Sequence, residues 1–392
     1  MEEQEIRKRF SPIRVAIPVV IGLGVAVFIL WSSLRAVHYE EAQGGAYVWT
    51  DDDGDCVLDR SEDTDFFYVG QGIGDYDRLT YRDTLRKVDW TGEASLFFGL
   101  AIVCLFIRLL GYIIRIRILS NGDFSWRQST DIILLWEFAS SLSPSVVGGS
   151  AVAIFFLNRE GMNLGRSTAL VMVTAMMDEF FYVVSVPLAL LFMGSGQLFP
   201  DGWSREIFGF TLSANGFFWL GYLFTFALLV VLTYAVLINP RGFRYLLIKV
   251  FSISFLRRWR HRIIEWGDDL MTTSRALKAE GGLYWAKGIA ATFLSWGARF
   301  TLLNCLLLMV VAEIEPILSY AKQLVMWMIM LISPTPGSSG VAEFAFYEFF
   351  GGSVVPITLV GLLAILWRLL TYFPYIFAGV IILPRWLQRT AK

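Results

Sequence analysis

Three arginines stand inside apolar runs where a positive charge needs a reason: Arg108, Arg299 and Arg368. Arg299 and Arg368 lie more than ten residues from either end of their runs. At about 1.5 Å per helical residue that is too deep to reach the membrane surface easily. A charge held at such depth costs on the order of 3 kcal/mol or more, so it requires an acid partner or a wet cavity. Arg108 lies nearer the end of its run, within snorkelling reach of the headgroups. Glu137, Asp178, Glu179 and Glu343 are the acids in neighbouring apolar runs that are able to pair with these cations. Such pairs serve helix register alone in the simplest case. The chemistry that buried guanidinium groups suit best is the holding of an anion, phosphate above all.

Two helix breaks accompany the charges. The stretch 333–343 holds Pro334, Thr335, Pro336, Gly337, Ser338, Ser339, Gly340 and Glu343 between two apolar runs. Two prolines and two glycines so close together cannot continue a helix. Irregular backbone at bilayer depth survives only where protein buries it or where it lines a cavity. The stretch 143–150, with Pro144, Gly148 and Gly149, has the same character. A new helix is predicted after each break, and its first turn offers unpaired N–H groups and a positive dipole end to a phosphate. Glu343 falls in that first turn, where it offsets the dipole, pairs Arg299 or Arg368, or takes up a proton coupled to transport.

The elements that position these residues are membrane helices. The 392 residues are 56% hydrophobic and 17% charged, with a mean hydropathy of +0.57. A soluble chain carries nearer a quarter charged residues, so an integral membrane protein is expected. Spans are predicted at 13–34, 94–114, 167–193, 215–238, 284–311 and 354–383, each long enough for the roughly 20 residues a crossing needs. The first run lacks a small-residue cleavage pattern and reads as a retained helix. Basic residues at 7–14, Arg115, Arg117, Arg385 and Arg389 place both termini in the cytoplasm, and a bacterial cytoplasmic membrane is expected. The short apolar pieces around the two breaks, too short to cross alone, read as re-entrant hairpins or as kinked crossings.

Five regions follow: a tail and first helix (1–35), an acidic outer loop (36–93), a first core (94–238), a basic segment (239–283) and a second core (284–392). The outer loop is expected to end in an interfacial helix at 79–90. The basic segment, with Arg241, Arg244, Lys249, Arg257, Arg258, Arg260 and Arg262 among aromatic residues, fits anionic headgroups rather than nucleic acid.

The two cores echo each other. The pairs Arg108 with Arg299 and Trp136 with Trp327 are 191 positions apart, and Pro144 with Pro334 and Asp178 with Arg368 are 190 apart. Under the topology above the two halves run in opposite directions, and inverted repeats with broken helices at their interface are a transporter signature. The expected fold class is therefore an all-α polytopic membrane protein. It has about six full transmembrane helices and two broken or re-entrant hairpins in two inverted repeats.

Cofactor chemistry is thinly represented. Asp51, Asp53, Asp55, Val57 and Glu62 fall at ligand positions of a twelve-residue calcium loop, with Cys56 where that loop has glycine. A structural Ca2+ or a solvated acidic loop both fit, and no other cofactor is required. Neither a nucleophilic triad, a zinc spacing, a P-loop nor a dinucleotide fingerprint occurs, and His38 and His261 stand alone. An enzyme is not expected on these grounds.

The run 333–343, with Arg299 before it and Arg368 after it, resembles the lysylphosphatidylglycerol synthase/flippase transmembrane family. That family's pattern is Pro-Thr-Pro-Gly-Gly-x-Gly-x-x-Glu. Pro334, Thr335, Pro336, Gly337, Gly340 and Glu343 match it, and Ser338 replaces its second glycine. The 144–148 segment is similar to the family's earlier Pro/Gly break, and the resemblance covers about 85–387. It implies a domain that moves a charged phospholipid between leaflets. The aminoacyl transfer of larger members belongs to a separate soluble domain, so a stand-alone flippase-like module is implied.

The expected function is translocation of an anionic lipid, a phospholipid or one linked to a polyprenyl phosphate. Arg299, Arg368 and Arg108 would hold the phosphate, with Asp178 and the two tips completing the site. Two alternatives stay open: a headgroup-modifying enzyme using Glu343 and Asp178, and a non-transporting scaffold. Membrane lipids are the expected partners, and the residues do not indicate an oligomeric state.

Overall fold

The computed structural model describes residue 31, 37–51, 58, 65–80, 83, 86, 92–143, 145–194, 196–200, 204–207, 210–252, 271–311, 314–331, 335, 338, 340–352 and 354–390. The predicted first span and most of the candidate calcium loop (Asp53, Asp55, Val57 and Glu62) lie outside these residues, as does 253–270 of the basic segment. Asp51 lies two residues past the second strand, Tyr47–Trp49.

Eleven named helices carry the fold among the described residues: α1 (Gly92–Leu119), α2 (Trp126–Leu142), α3 (Ser145–Arg159), α4 (Leu164–Met193), α5 (Ala214–Thr233), α6 (Pro240–Val250), α7 (Gly282–Val310), α8 (Pro316–Leu331), α9 (Val341–Phe350), α10 (Ile357–Thr371) and α11 (Phe373–Thr390). A π-turn, Tyr234–Ile238, prolongs α5. Five stretches are long and apolar enough to cross a membrane: α1, α4, α5 with its π-turn, α7, and 358–390. The chain is an α-helical polytopic membrane protein.

The last stretch is not one helix. It breaks at Tyr372, where the backbone leaves helical geometry (φ −123°, ψ −58°). Pro374, just inside α11, cannot donate a helical hydrogen bond and so favours a fresh start there. Lipid-facing side chains line the outside. Phe106, Leu223, Val231 and Phe377 are 63, 59, 49 and 63% exposed, the pattern of helices solvated by hydrocarbon rather than water.

Cross-links between helix ends show which ends lie together. The Tyr284 hydroxyl donates to the Leu119 carbonyl, Arg166 to the Ser120 carbonyl and Lys278 to the Ile238 carbonyl. Arg389 pairs with Asp131 at the start of α2 and with Glu160 just past α3. These contacts define a basic end of the bundle. The pair α2–α3 starts and finishes there, and its tip points inward. The pair α8–α9 starts and finishes at the opposite end, where Asn304 donates to the Pro316 carbonyl and Lys322 to the Phe349 carbonyl.

Small residues allow the closest helix contact. A Cβ on Gly111 of α1 would stand 3.0 Å from Ser295 Cβ and 3.1 Å from the Ala291 carbonyl on α7. The two backbones therefore lie nearly in touch, as small residues permit between membrane helices. The Ser295 hydroxyl donates across the seam to the Arg108 carbonyl at 2.9 Å.

The predicted outer loop is a folded unit instead. Strands β1 (Val37–Gly45), β2 (Tyr47–Trp49), β3 (Phe66–Tyr68) and β4 (Gly74–Thr80) form an antiparallel sheet in the order β1-β4-β2-β3. Tyr39 and Phe66 stack at its centre, 3.8 Å between ring centroids. Leu79 and Thr80, expected at the start of an interfacial helix, belong to β4. A small hairpin, β5 (Ser204–Ile207) with β6 (Phe210–Ser213), precedes α5.

Candidate functional site

A cavity of about 260 Å³ opens where the tips of the two helix pairs meet α1, α4, α7 and α10. Arg108, Asp178, Arg299, Arg368, Thr335 and Ser338 all line it, as do Arg115, Glu137, Glu179 and Tyr182. Residues 190 or 191 positions apart face this one space from different helices: Arg108 with Arg299, Trp136 with Trp327, and Asp178 with Arg368. Tyr182 and Tyr372, 190 apart, form a fourth such pair.

Three of the four cavity arginines are matched by acids. Arg108 is 2% exposed rather than snorkelled, because Glu137 on α2 meets its Nη2 at 2.8 Å and the Tyr375 hydroxyl accepts from its Nη1. Arg368 on α10 lies 3.0 Å through Nε from Glu343 Oε1 and stacks 4.0 Å over the Tyr372 ring. The other Glu343 oxygen accepts from the Gly340 N–H at 2.7 Å, so one carboxylate ties the start of α9 to α10. That use absorbs both the dipole-offsetting and the arginine-pairing roles expected of Glu343.

Arg115 corrects the sequence reading. It was expected to mark the end of a span, yet α1 continues through Ile116 and Leu119, and Arg115 is buried. Its two Nη atoms grip both Asp178 oxygens, at 2.5 and 3.2 Å, and Thr292 accepts a further bond at 3.1 Å. Trp296 Nε1 donates to Asp178 at 2.7 Å. Asp178 thus serves Arg115 rather than an arginine of the second half.

Arg299 is different. Among the described residues no carboxylate lies within ion-pair distance of it. Its guanidinium rests instead over Trp327 at 4.1 Å and Trp296 at 5.3 Å. A cation over desolvated indole faces gains about 2 kcal/mol, enough to hold the group in place and too little to neutralise it. Tyr182 closes the aromatic wall, edge-on to Trp296 at 5.0 Å. Its buried hydroxyl has no hydrogen-bond partner among the described residues, and neither has Glu179 Oε2. Among the described residues the cavity therefore contains one arginine with no acid beside it, one phenol with a proton to donate, and one unpartnered carboxylate oxygen.

The tips differ in how they approach. Ser338 has φ 53° and Gly340 φ 84°, both left-handed. That conformation costs a side chain about 1–2 kcal/mol and glycine very little. Ser338 thus holds a backbone shape suited to the glycine that the family pattern has at its position. On the other tip, Gly149 sits so tightly on Ser140 that a Cβ would meet the Ser140 backbone at 2.8 Å. Gly148 lies in the first turns of α3. Pro144, Pro334, Pro336, Gly337 and Ser339 lie outside the described residues. No group of three or more histidine, cysteine or acidic side chains able to hold a metal occurs among the described residues.

Comparisons with known proteins show the family. A UPF0104 membrane protein of Archaeoglobus fulgidus is 26% identical over 316 residues, covering 77% of this chain and 91% of the relative. No solved structure matches the chain. The description of the lysylphosphatidylglycerol synthase TM region matches residues 81–379, which takes in every helix that lines the cavity. The chain belongs to the lysylphosphatidylglycerol synthase TM region family.

Proposed function

We propose that this protein moves an anionic lipid between leaflets, holding its phosphate in the central cavity while the acyl or prenyl tails remain in the bilayer. The lipid is a phospholipid or one linked to a polyprenyl phosphate. The observation that carries this reading is Arg299, a cavity guanidinium fixed on two indoles with no carboxylate beside it among the described residues. A phosphate there would gain a charge-assisted, bidentate contact and accept a further bond from the Tyr182 hydroxyl. Arg108, Arg115 and Arg368 are already neutralised, so their part is to position helices and tips.

The two helix pairs supply the means of access. Their outer ends lie at opposite ends of the bundle and their tips share one cavity, the arrangement expected if each half opens to one leaflet. We assign the basic end to the cytoplasm of a bacterial cell by its arginines and lysines, and read both pairs as re-entrant hairpins. An acid–base enzyme built on Asp178 and Glu343 gains no support from the geometry, since every oxygen of both is engaged. A scaffold without transport gives no account of a cavity that holds an arginine without an acid.

The test is leaflet exchange of a fluorescent anionic phospholipid and of a polyprenyl phosphate in reconstituted vesicles. Arg299→Ala is expected to slow exchange about tenfold or more, the loss of one charge-assisted contact. It should lower the melting temperature less than removal of Glu343 does, because no ion pair with a described residue is broken. Full activity in Arg299→Ala would overturn the reading.

A further inference from the structure

A second cavity, of about 220 Å³, lies at the basic end, away from the central site. Ile238, Asn239, Pro240, Arg241, Met271, Arg275 and Lys278 line it. Three cations face this space with no carboxylate in its lining among the described residues. Lys278 is held by its bond to the Ile238 carbonyl at 3.0 Å, which stitches the helical stretch 271–279 to the end of the π-turn. Arg241 and Arg275 are exposed and make no ion pair with a described residue.

The surroundings place this pocket at the membrane boundary. Ile238 ends one span and is 63% exposed, and Gly282 starts the next, four residues after Lys278. Beside it α6 presents Tyr245 and Leu246, exposed by 69 and 52%, together with Lys249. Apolar side chains next to cations on a short helix at the end of a span are the composition of an interfacial helix. The end of α6 is not itself the anion donor. Asn239 Oδ1 already accepts from the Gly242 N–H at 2.8 Å, and Pro240 has no N–H to offer. Binding would fall to the side chains.

We infer that the pocket formed by Arg241, Arg275 and Lys278 binds the phosphate headgroup of an anionic phospholipid of the leaflet at the basic end, as a resident lipid distinct from the transported one. Two guanidinium forks and an ammonium match the oxygens of a phosphodiester, and Tyr245 and Leu246 meet the upper part of its chains. Three cations near an anionic surface all add attraction for negative charge, so the pocket selects anionic over zwitterionic lipid. The inference does not depend on transport through the central cavity.

Native mass spectrometry of the detergent-purified full chain, titrated with phosphatidylglycerol, phosphatidylcholine or inorganic phosphate, tests it. Wild type should retain phosphatidylglycerol, and the triple variant R241Q/R275Q/K278Q should bind one fewer with affinity lowered about tenfold or more. Arg275→Gln alone should show a smaller loss and keeps the test sound if the triple variant folds poorly. Arg299→Ala should retain the resident lipid. Equal retention of phosphatidylcholine, or unchanged phosphatidylglycerol binding in both variants, would overturn the assignment. Competition by millimolar inorganic phosphate as effective as lipid would identify a free-anion pocket and overturn it too.

Discussion

At the scale of single residues, buried charge separates structural groups from functional ones. An arginine whose acid is removed is left as an uncompensated buried ion, which costs about 3–5 kcal/mol. Glu343→Gln takes the acid from Arg368 and weakens the tie to Gly340, so a lower melting temperature in detergent is expected, by that order of energy. Glu343→Gln combined with Arg368→Met should recover part of the loss, since replacing a whole buried pair by apolar side chains is often neutral. An unchanged melting temperature in Glu343→Gln would show that the pair carries no stability. Arg299 and Arg368 were recognisable from sequence because each interrupts a long apolar run. Arg115 was not, because charge near the end of such a run reads as a flank. Only the fold brings Asp178, 63 positions later, against it. The indole wall was hidden for another reason: in a chain that is 16% aromatic, Trp296 does not stand out, and Trp327 was visible only as the repeat partner of Trp136.

At the scale of elements, the predicted spans 94–114, 167–193, 215–238 and 284–311 each fall within about five residues of a long apolar helix, because hydrocarbon thickness dictates their length. The break at Tyr372 was missed although Pro374 signalled it. The sheet of the first loop was missed because its pairing is non-local. Tyr47–Trp49 meets Phe66–Tyr68 across a stretch of acidic residues that dominates the composition. The seam between α1 and α7 gives a prediction of its own. Gly111→Leu would force apart two backbones that Ser295 and Ala291 hold close, whereas Gly99→Leu on the same helix meets open space. Fluorescence-detected size exclusion should show loss of the monodisperse peak for Gly111→Leu alone, and matching profiles for the two variants would contradict the close packing.

At the scale of the whole molecule, the repeat spacing found in the sequence becomes a ring of paired residues around one cavity. The two cores nonetheless differ where it matters most: Arg108 has its glutamate, and Arg299, 191 positions on, has two indoles. The modest size of that cavity has a kinetic meaning. Pockets that enclose a whole drug-sized ligand run from roughly 300 to 1,000 Å³. At about 260 Å³ this one falls below that range, room for a headgroup rather than for a whole two-chain lipid. Under the proposed function the tails would trail through hydrocarbon during each crossing, and the rate-limiting desolvation would belong to the phosphate. Exchange rates measured for one headgroup with short, medium and long saturated chains should therefore be nearly flat. A steep dependence on chain length would place the tails inside the protein. Selection would operate on the polar end of the lipid, and a single carrier would accept every chain composition the membrane makes.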